Sequence, residues 1–447
     1  MATKKVNQPL DGTASSRASS PVEELLLAAL ERGDDNLETG RYLVTFKEGA
    51  ANEGYQSLGA QGMRVADARD FDAQAATLES VGDADAVVFP EIGVAVVGGA
   101  AARERSMSAH AEIASDSPIQ VIEPEYFVFT QSPPPEFWRS QATETNPSEY
   151  LRGFLRAAEA IAKDLREGVQ PPPGPQEEAL VLGATWGLIA CKVPPSARSG
   201  AGIKVAVLDT GMDLGHPDFA GRPVNSQTFV GQPVQDLHSH GTHCIGTSCG
   251  PNAPAGNTPR YGIAFRAQIF AGKVLSNSGS SVGGSVLAGM NWAIANRCEV
   301  ISMSLGSQAP VQAAYTAAGQ AALNNGLLMV AAAGNAASST GAPANSPTIL
   351  SVASVDPNFS PSSFSNFGKI EIAAPGRDVF SSVPRPTRYG IKSGTSMATP
   401  HVAGCAALWA ETSSTLRGMN LWRKLQATAR HLPFPPTRVG AGLLQAP

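Results

Sequence analysis

From Thr185 onward, short runs that are apolar at nearly every position recur between longer helical stretches: Val205–Leu208, Gln268–Leu275, Val300–Met303, Leu327–Ala332 and Ile349–Ser354, divided by segments such as Val282–Asn296 and Val311–Asn325. Continuous apolar runs suit strands buried on both faces, and the helices between them provide the crossovers that parallel neighbours require. The pattern predicts an α/β unit, a mainly parallel sheet covered by helices on both faces, with some 260 residues around one large core. Ligands of such sheets gather at the carboxyl ends of the strands.

Three segments place reactive groups at such ends. Lys204–Thr210 (KVAVLDT) brings Asp209 to the end of a buried strand, while Ser239–Gly246 (SHGTHCIG) and Ser393–Gly404 (SGTSMATPHVAG) set His240 and Ser396 at loop-to-helix transitions. A serine hydroxyl is a weak nucleophile until an imidazole takes its proton, and the imidazole needs a carboxylate to fix its tautomer. Each word alone has an ordinary reading as a turn or loop; their co-occurrence points to acyl-transfer chemistry. His238, His240, His243 and Cys244 also invite a zinc site, but the HExxH word is missing because no Glu follows His240. His243 is expected to be a packed, hydrogen-bonded histidine. Cys244, one helical turn after His240, is either a small buried hydrophobe or a thiol beneath the imidazole.

The order Asp, His, Ser, with the words DTG, HGTH and GTSMATPHVAG and the ending Val439–Leu443, resembles the subtilisin-like serine proteases from about Trp186 to Pro447. The resemblance implies a three-layer α/β domain. It implies that Asp209 orients the histidine, that His240 is general base and then general acid, and that Ser396 attacks the scissile carbonyl. Asn335, in VAAAGN, matches the asparagine that donates to the developing oxyanion. Gly279, Ser280 and Ser281, with Ser304, Leu305 and Gly306, match the two segments that flank an extended substrate, for which a broad or apolar preference is expected. The Thr399–Pro400 bond is expected to be cis. No cofactor is required, and calcium is left open as a stabilising ion on the strength of Asp218, although Pro251–Pro259 offers no carboxylate. A non-enzymatic binding module would call for a broken site, and the words here are intact.

The 447 residues exceed one core and suggest two or three units. Residues 1–37 are polar and Ser/Ala-rich, and are expected to be largely disordered apart from one short helix at Val22–Leu30. Strands at Arg41–Phe46, Val87–Gly98 and Ile119–Thr130, with a helix at Ala101–Ala114, argue a small α+β domain over 38–131. It resembles, in a ferredoxin-like form, the inhibitor-type propeptide that precedes many such proteases, which makes the chain's own N-terminal domain an intramolecular partner. A proline-rich linker with an inserted helix at 148–167 fills 132–182, and 183–447 is the catalytic domain. Self-cleavage is expected between Thr130 and Gly183.

Charged residues make up 16% of the chain, against roughly 25% in average domains, and 33 basic against 38 acidic residues leave a net charge of −5. That balance steers the protein to neither nucleic acid nor an anionic membrane. Peptide or protein substrates remain, acted on by a monomer. The first residues lack the apolar stretch of a secretory signal, and five cysteines without a paired motif suit reduced thiols, so a cytoplasmic location is expected, with export by another route open.

Overall fold

The computed structural model describes residues 37–130, save 106 and 109–112, and 183–447, together with Val22, Leu25, Leu26 and Ala29. The segment 132–182, with its expected helix at 148–167, lies outside the described residues.

The N-terminal unit runs β1 (Glu38–Phe46), α1 (Ala51–Ala60), β2 (Val65–Asp67), β3 (Ala86–Phe89), β4 (Val94–Val97), α2 (Gly99–Glu104) and β5 (Ile119–Thr130). Its sheet order is β5-β1-β4-β3-β2, antiparallel except that β2 lies parallel to β3 on the edge. Leaving out short β2, this is a βαββαβ arrangement. The helix expected over Ala101–Ala114 is shorter, ending at Glu104. Val44, Phe46, Leu58, Val88 and Val97 close one face of the sheet.

The second unit holds a seven-stranded sheet of β6 (Lys204–Asp209), β7 (Val224–Thr228), β8 (Gln268–Lys273), β10 (Val300–Met303), β12 (Leu328–Ala332), β13 (Leu350–Val355) and β14 (Ile372–Pro375). Their order is β14-β13-β12-β10-β6-β8-β7, and every pairing is parallel. Period-two alternation divides each strand between two cores. Val205 and Val207 face helices α3 (His240–Cys249), α6 (Thr395–Thr412) and α7 (Gly418–Thr428). Ala206 and Leu208 face α4 (Gly283–Ala295) and α5 (Ala313–Asn324). Beyond α4 and α5 lies the N-terminal unit, whose Val94, Val96 and Val128 join that second core. A hairpin, β15 (Val379–Ser382) with β16 (Tyr389–Lys392), precedes α6.

Two very short strands remain, β9 (Ser280–Val282) and β11 (Leu305–Gly306), and both pair with β5. The five cysteines are buried and free. Among the described residues no helix is long and apolar enough to cross a membrane.

Candidate active site

Asp209 ends β6, Ser304 follows β10, Asn335 follows β12, and His240 and Ser396 stand in the first turns of α3 and α6. All five therefore meet at the carboxyl edge of the parallel sheet. Asp209 is 1% exposed, and its Oδ1 lies 2.7 Å from His240 Nδ1 and accepts from the Thr210 N–H at 2.7 Å. A carboxylate can only accept, so Nδ1 carries the ring proton and Nε2 keeps its lone pair. Nε2 is buried without a hydrogen-bond partner.

The Ser396 hydroxyl donates to the Ser304 carbonyl at 3.2 Å, so the last link of the expected row is not closed in this conformation. The gap is small. Cys244 Sγ lies 3.9 Å from His240 Nδ1 and 3.5 Å from the Ser396 carbonyl oxygen, which puts one thiol against both residues. Such links often tighten only when substrate arrives. Cys244 is thus both the buried small residue and the thiol beside the ring. Desolvation, reinforced by Asp209, pushes its ionisation well above the usual thiol range.

Pro400 explains how Ser396 is held. It lies inside α6, and its peptide bond to Thr399 is trans, since the cis bonds of the described residues are Ala342–Pro343 and Arg385–Pro386. The expectation of a cis bond is corrected: the helix runs straight through the proline. Pro400 has no N–H to give to the carbonyl four residues back, which is that of Ser396. The freed carbonyl accepts from Ser304 Oγ at 2.8 Å, tying α6 to the end of β10.

Asn335 is fixed by its oxygen, which accepts from the Thr395 N–H at 2.9 Å and the Thr395 hydroxyl at 3.0 Å. With Oδ1 committed there, the amide hydrogens point the other way. Glycine is required where the loops touch: a Cβ on Gly241 would lie 2.2 Å from the Gly211 carbonyl, and Gly394, before α6, has φ of 153°.

Sequence reasoning missed the residue that organises the histidine loop. Asp236 is fully buried, and its Oδ1 accepts from the His238 and Ser239 N–H groups and the Thr210 hydroxyl at 2.9, 2.8 and 3.0 Å. Its Oδ2 takes the Thr242 N–H and hydroxyl at 2.8 and 2.7 Å. These bonds hold Ser239 in the left-handed region, φ 77°, immediately before His240. Behind them the buried Lys273 donates to the Thr210 carbonyl and to Asn277, and burial pushes its ammonium down to about 8 against the pull of Asp236 and Asp209.

The remaining expected residues divide clearly. His243 is structural, its Nε2 on the Val379 carbonyl at 2.9 Å. Among the described residues the donors that converge are Asp209, His240 and Cys244, without His238 or His243, and a thiol held protonated beside a committed Asp–His pair is a poor zinc set. Asp218 does not fit calcium: the Tyr261 hydroxyl donates to its Oδ2, and the Tyr389 hydroxyl lies 3.1 Å from both of its oxygens. Gly279 to Ser281 and Ser304 to Gly306 form the two walls of a cleft, and β5 lies antiparallel to both.

A buried carboxylate–imidazole pair beside a serine at a helix start, set on a parallel sheet, defines a serine hydrolase of the α/β class. Residues 200–442 match the subtilase family, Peptidase S8. Subtilisin Savinase of Lederbergia lenta is 39% identical over 268 residues, 58% of this chain and 96% of that protein. Subtilisin NAT of Bacillus subtilis subsp. natto is 38% identical over 259 residues, 55% of this chain and 66% of that protein, so the chain spans just under two thirds of that relative's length. Among solved structures, a cold adapted subtilisin-like serine proteinase is similar with a TM-score of 0.52 and 32% identity, over 59% of this chain and 98% of that one. The chain belongs to the subtilase family of serine-type endopeptidases.

Proposed function

We propose that this chain is a serine endopeptidase made as a self-processing zymogen, with residues 38–131 as an inhibitory propeptide, 132–182 as a linker and 183–447 as the catalytic domain. In this reading Ser396 attacks the scissile carbonyl, His240 Nε2 takes its proton and later returns it to the leaving amine, and Asp209 holds the ring. The Asn335 amide steadies the oxyanion. Hydrolysis of this kind needs no cofactor.

The observation that carries the reading is β5 lying as an extended strand between the two cleft walls, the manner in which a protease takes a peptide of almost any sequence. Val128 of that strand shares an apolar cluster with Leu305, Val286 and Leu287, which supports a broad or apolar preference.

A fluorophosphonate probe followed by peptide mapping tests the chemistry. Wild-type protein is expected to carry the label on Ser396 and to hydrolyse a casein substrate even with phenanthroline present, and Ser396→Ala to do neither. Hydrolysis surviving in Ser396→Ala would overturn the assignment.

A further inference from the structure

The way β5 enters the cleft fixes more than its presence there. Its first part belongs to the N-terminal sheet, paired with β1 from Ile119↔Phe46 to Tyr126↔Glu38. At Phe127, whose N–H still bonds the Leu37 carbonyl at 2.8 Å, it passes to the catalytic domain, which holds it on one side from Phe127 and on both sides at Phe129 and Thr130. On one side Phe127, Val128 and Phe129 pair with Val282, Ser281 and Ser280, and the Thr130 N–H donates to the Gly279 carbonyl at 2.9 Å. On the other, Phe129 pairs with Gly306 and Thr130 with Leu305. The strand therefore advances from Gly306 to Leu305 as it nears its end, towards Ser304, whose carbonyl receives the Ser396 hydroxyl.

A second contact lies in the same direction. A Cβ on Gly279 would lie 3.1 Å from Thr130 Oγ1 and 2.8 Å from His238 Nε2, so threonine and histidine crowd one spot. The His238 ring is in turn an edge neighbour of the His240 ring, their centroids 6.1 Å apart. Thr130 is thus linked through His238 to the side of His240, and it stands one residue short of Ser304 in the register. The other end of the unassigned interval is fastened elsewhere: the Gly183 carbonyl accepts from the Arg260 N–H at 2.9 Å, on neither wall of the cleft.

We propose that the first bond this protein cuts in itself is Gln131–Ser132, because the residue after Thr130 is the one whose carbonyl the β5 register delivers to Ser396. The proposal rests on the zymogen reading above and narrows its cut from some fifty bonds to one. The Ser396 oxygen forms an ester with the Gln131 carbonyl carbon while its proton passes to His240 Nε2. The Gln131–Ser132 C–N bond breaks as His240 gives that proton to the departing amine of Ser132. Water then hydrolyses the ester and frees the Gln131 carboxylate. Residues 132–182 leave the first cut still attached to the catalytic domain, so the enzyme first emerges with a proline-rich N-terminal extension.

Time-resolved mass spectrometry of the full-length chain made by cell-free synthesis reads the earliest cut. The expected first fragments are 1–131 and 132–447, the latter beginning SPPPEF. A first new N-terminus elsewhere, such as Gly183, with Ser396→Ala remaining whole, overturns the bond and leaves self-processing standing. A wild-type chain that takes the fluorophosphonate label yet stays whole, or a Ser396→Ala chain cut in the same way, overturns self-processing itself. Ser132→Pro, which crowds the leaving nitrogen with a ring, is expected to slow the first cut about 100-fold without moving the thermal unfolding of the chain. A cut at the Gln131 bond at the unchanged rate counts against the assignment.

Discussion

Asp236 and Pro400 show why some residues of a site can be read from sequence and others cannot. Asp209, His240 and Ser396 sit in words whose glycines are dictated where one word packs against another, as Gly241 is by the Gly211 carbonyl, so each word carries its small residues beside its reactive one and the chemistry is legible in a short string. Asp236 carries no such word. Its meaning lies in five donors, from Thr210, His238, Ser239 and Thr242, that converge only on folding. Pro400 was legible as an anomaly, but its effect, freeing the Ser396 carbonyl for Ser304, depends on where β10 ends. Asp236→Asn replaces one acceptor oxygen by a donor that faces donors. The expected cost is about 3 kcal/mol of unfolding free energy. With Ser239 released, kcat on a peptide substrate is expected to fall about 100-fold while KM changes little. Chemical denaturation and steady-state kinetics check both, and wild-type values for the variant would remove Asp236 from the positioning of His240.

At the scale of elements, the long apolar runs foretold the central strands closely; Val300–Met303 is matched residue for residue, and Ile119–Thr130 likewise. The strands β9 and β11 were not foreseen as strands, because two or three residues of Ser, Gly and Leu carry no periodic signal and become strands only by pairing with β5. A helix was expected at Val22–Leu30, without a partner. Val22, Leu26 and Ala29, spaced along one helical face, are at most 1% exposed and cluster with Phe127 and Phe129 of β5 and with Val230 and Val282 of the second unit. They form a strap over the part of β5 that lies in the cleft. Leu26→Asp exchanges a fully buried aliphatic side chain, worth about 1.5–3 kcal/mol, for a charge that must reach water. Once the self-cut is made, the lag before peptide hydrolysis begins is expected to shorten about 10- to 100-fold, the same energy expressed as a rate. The first cut, which needs only β5, is expected to keep its rate. An unaltered lag would show that the strap bears none of the inhibition.

For the whole molecule, sequence patterning separated two units but could not show that one strand belongs to both, since nothing in IQVIEPEYFVFT marks Tyr126 as the point where β5 changes sheets. The same strand carries two acids into the interface. Glu123 accepts from the Ala313 and Ala314 N–H groups at 3.0 and 2.8 Å, and Glu125 accepts from the Gly284 N–H at 2.7 Å, so each meets the start of a helix of the second unit. Glu125 is fully buried, flanked by the Thr39 hydroxyl at 2.6 Å, by Arg41 with its partner Glu79, and by Tyr315. Desolvation raises its ionisation above the ordinary carboxyl range, and the pull of Arg41, Thr39 and Gly284 offsets this only in part. When the N-terminal unit departs, Glu125 meets water and returns towards its ordinary value, so the bound state holds the proton to higher pH than the free one. Linkage then fixes the sign: the contribution of Glu125 to association is complete below the free value and is lost as pH rises through the raised one, by at most tenfold in affinity per pH unit for one proton. After self-cleavage, the lag before hydrolysis begins is expected to shorten as pH rises across that window. In Glu125→Gln, which keeps the acceptor and loses the titration, it is expected to lose this component of its pH dependence. Lag times measured from pH 4 to 9 on both proteins decide it, and a wild-type lag that lengthens with rising pH would mean that Glu125 enters the interface ionised and that its contacts with Gly284 and Arg41 outweigh its burial.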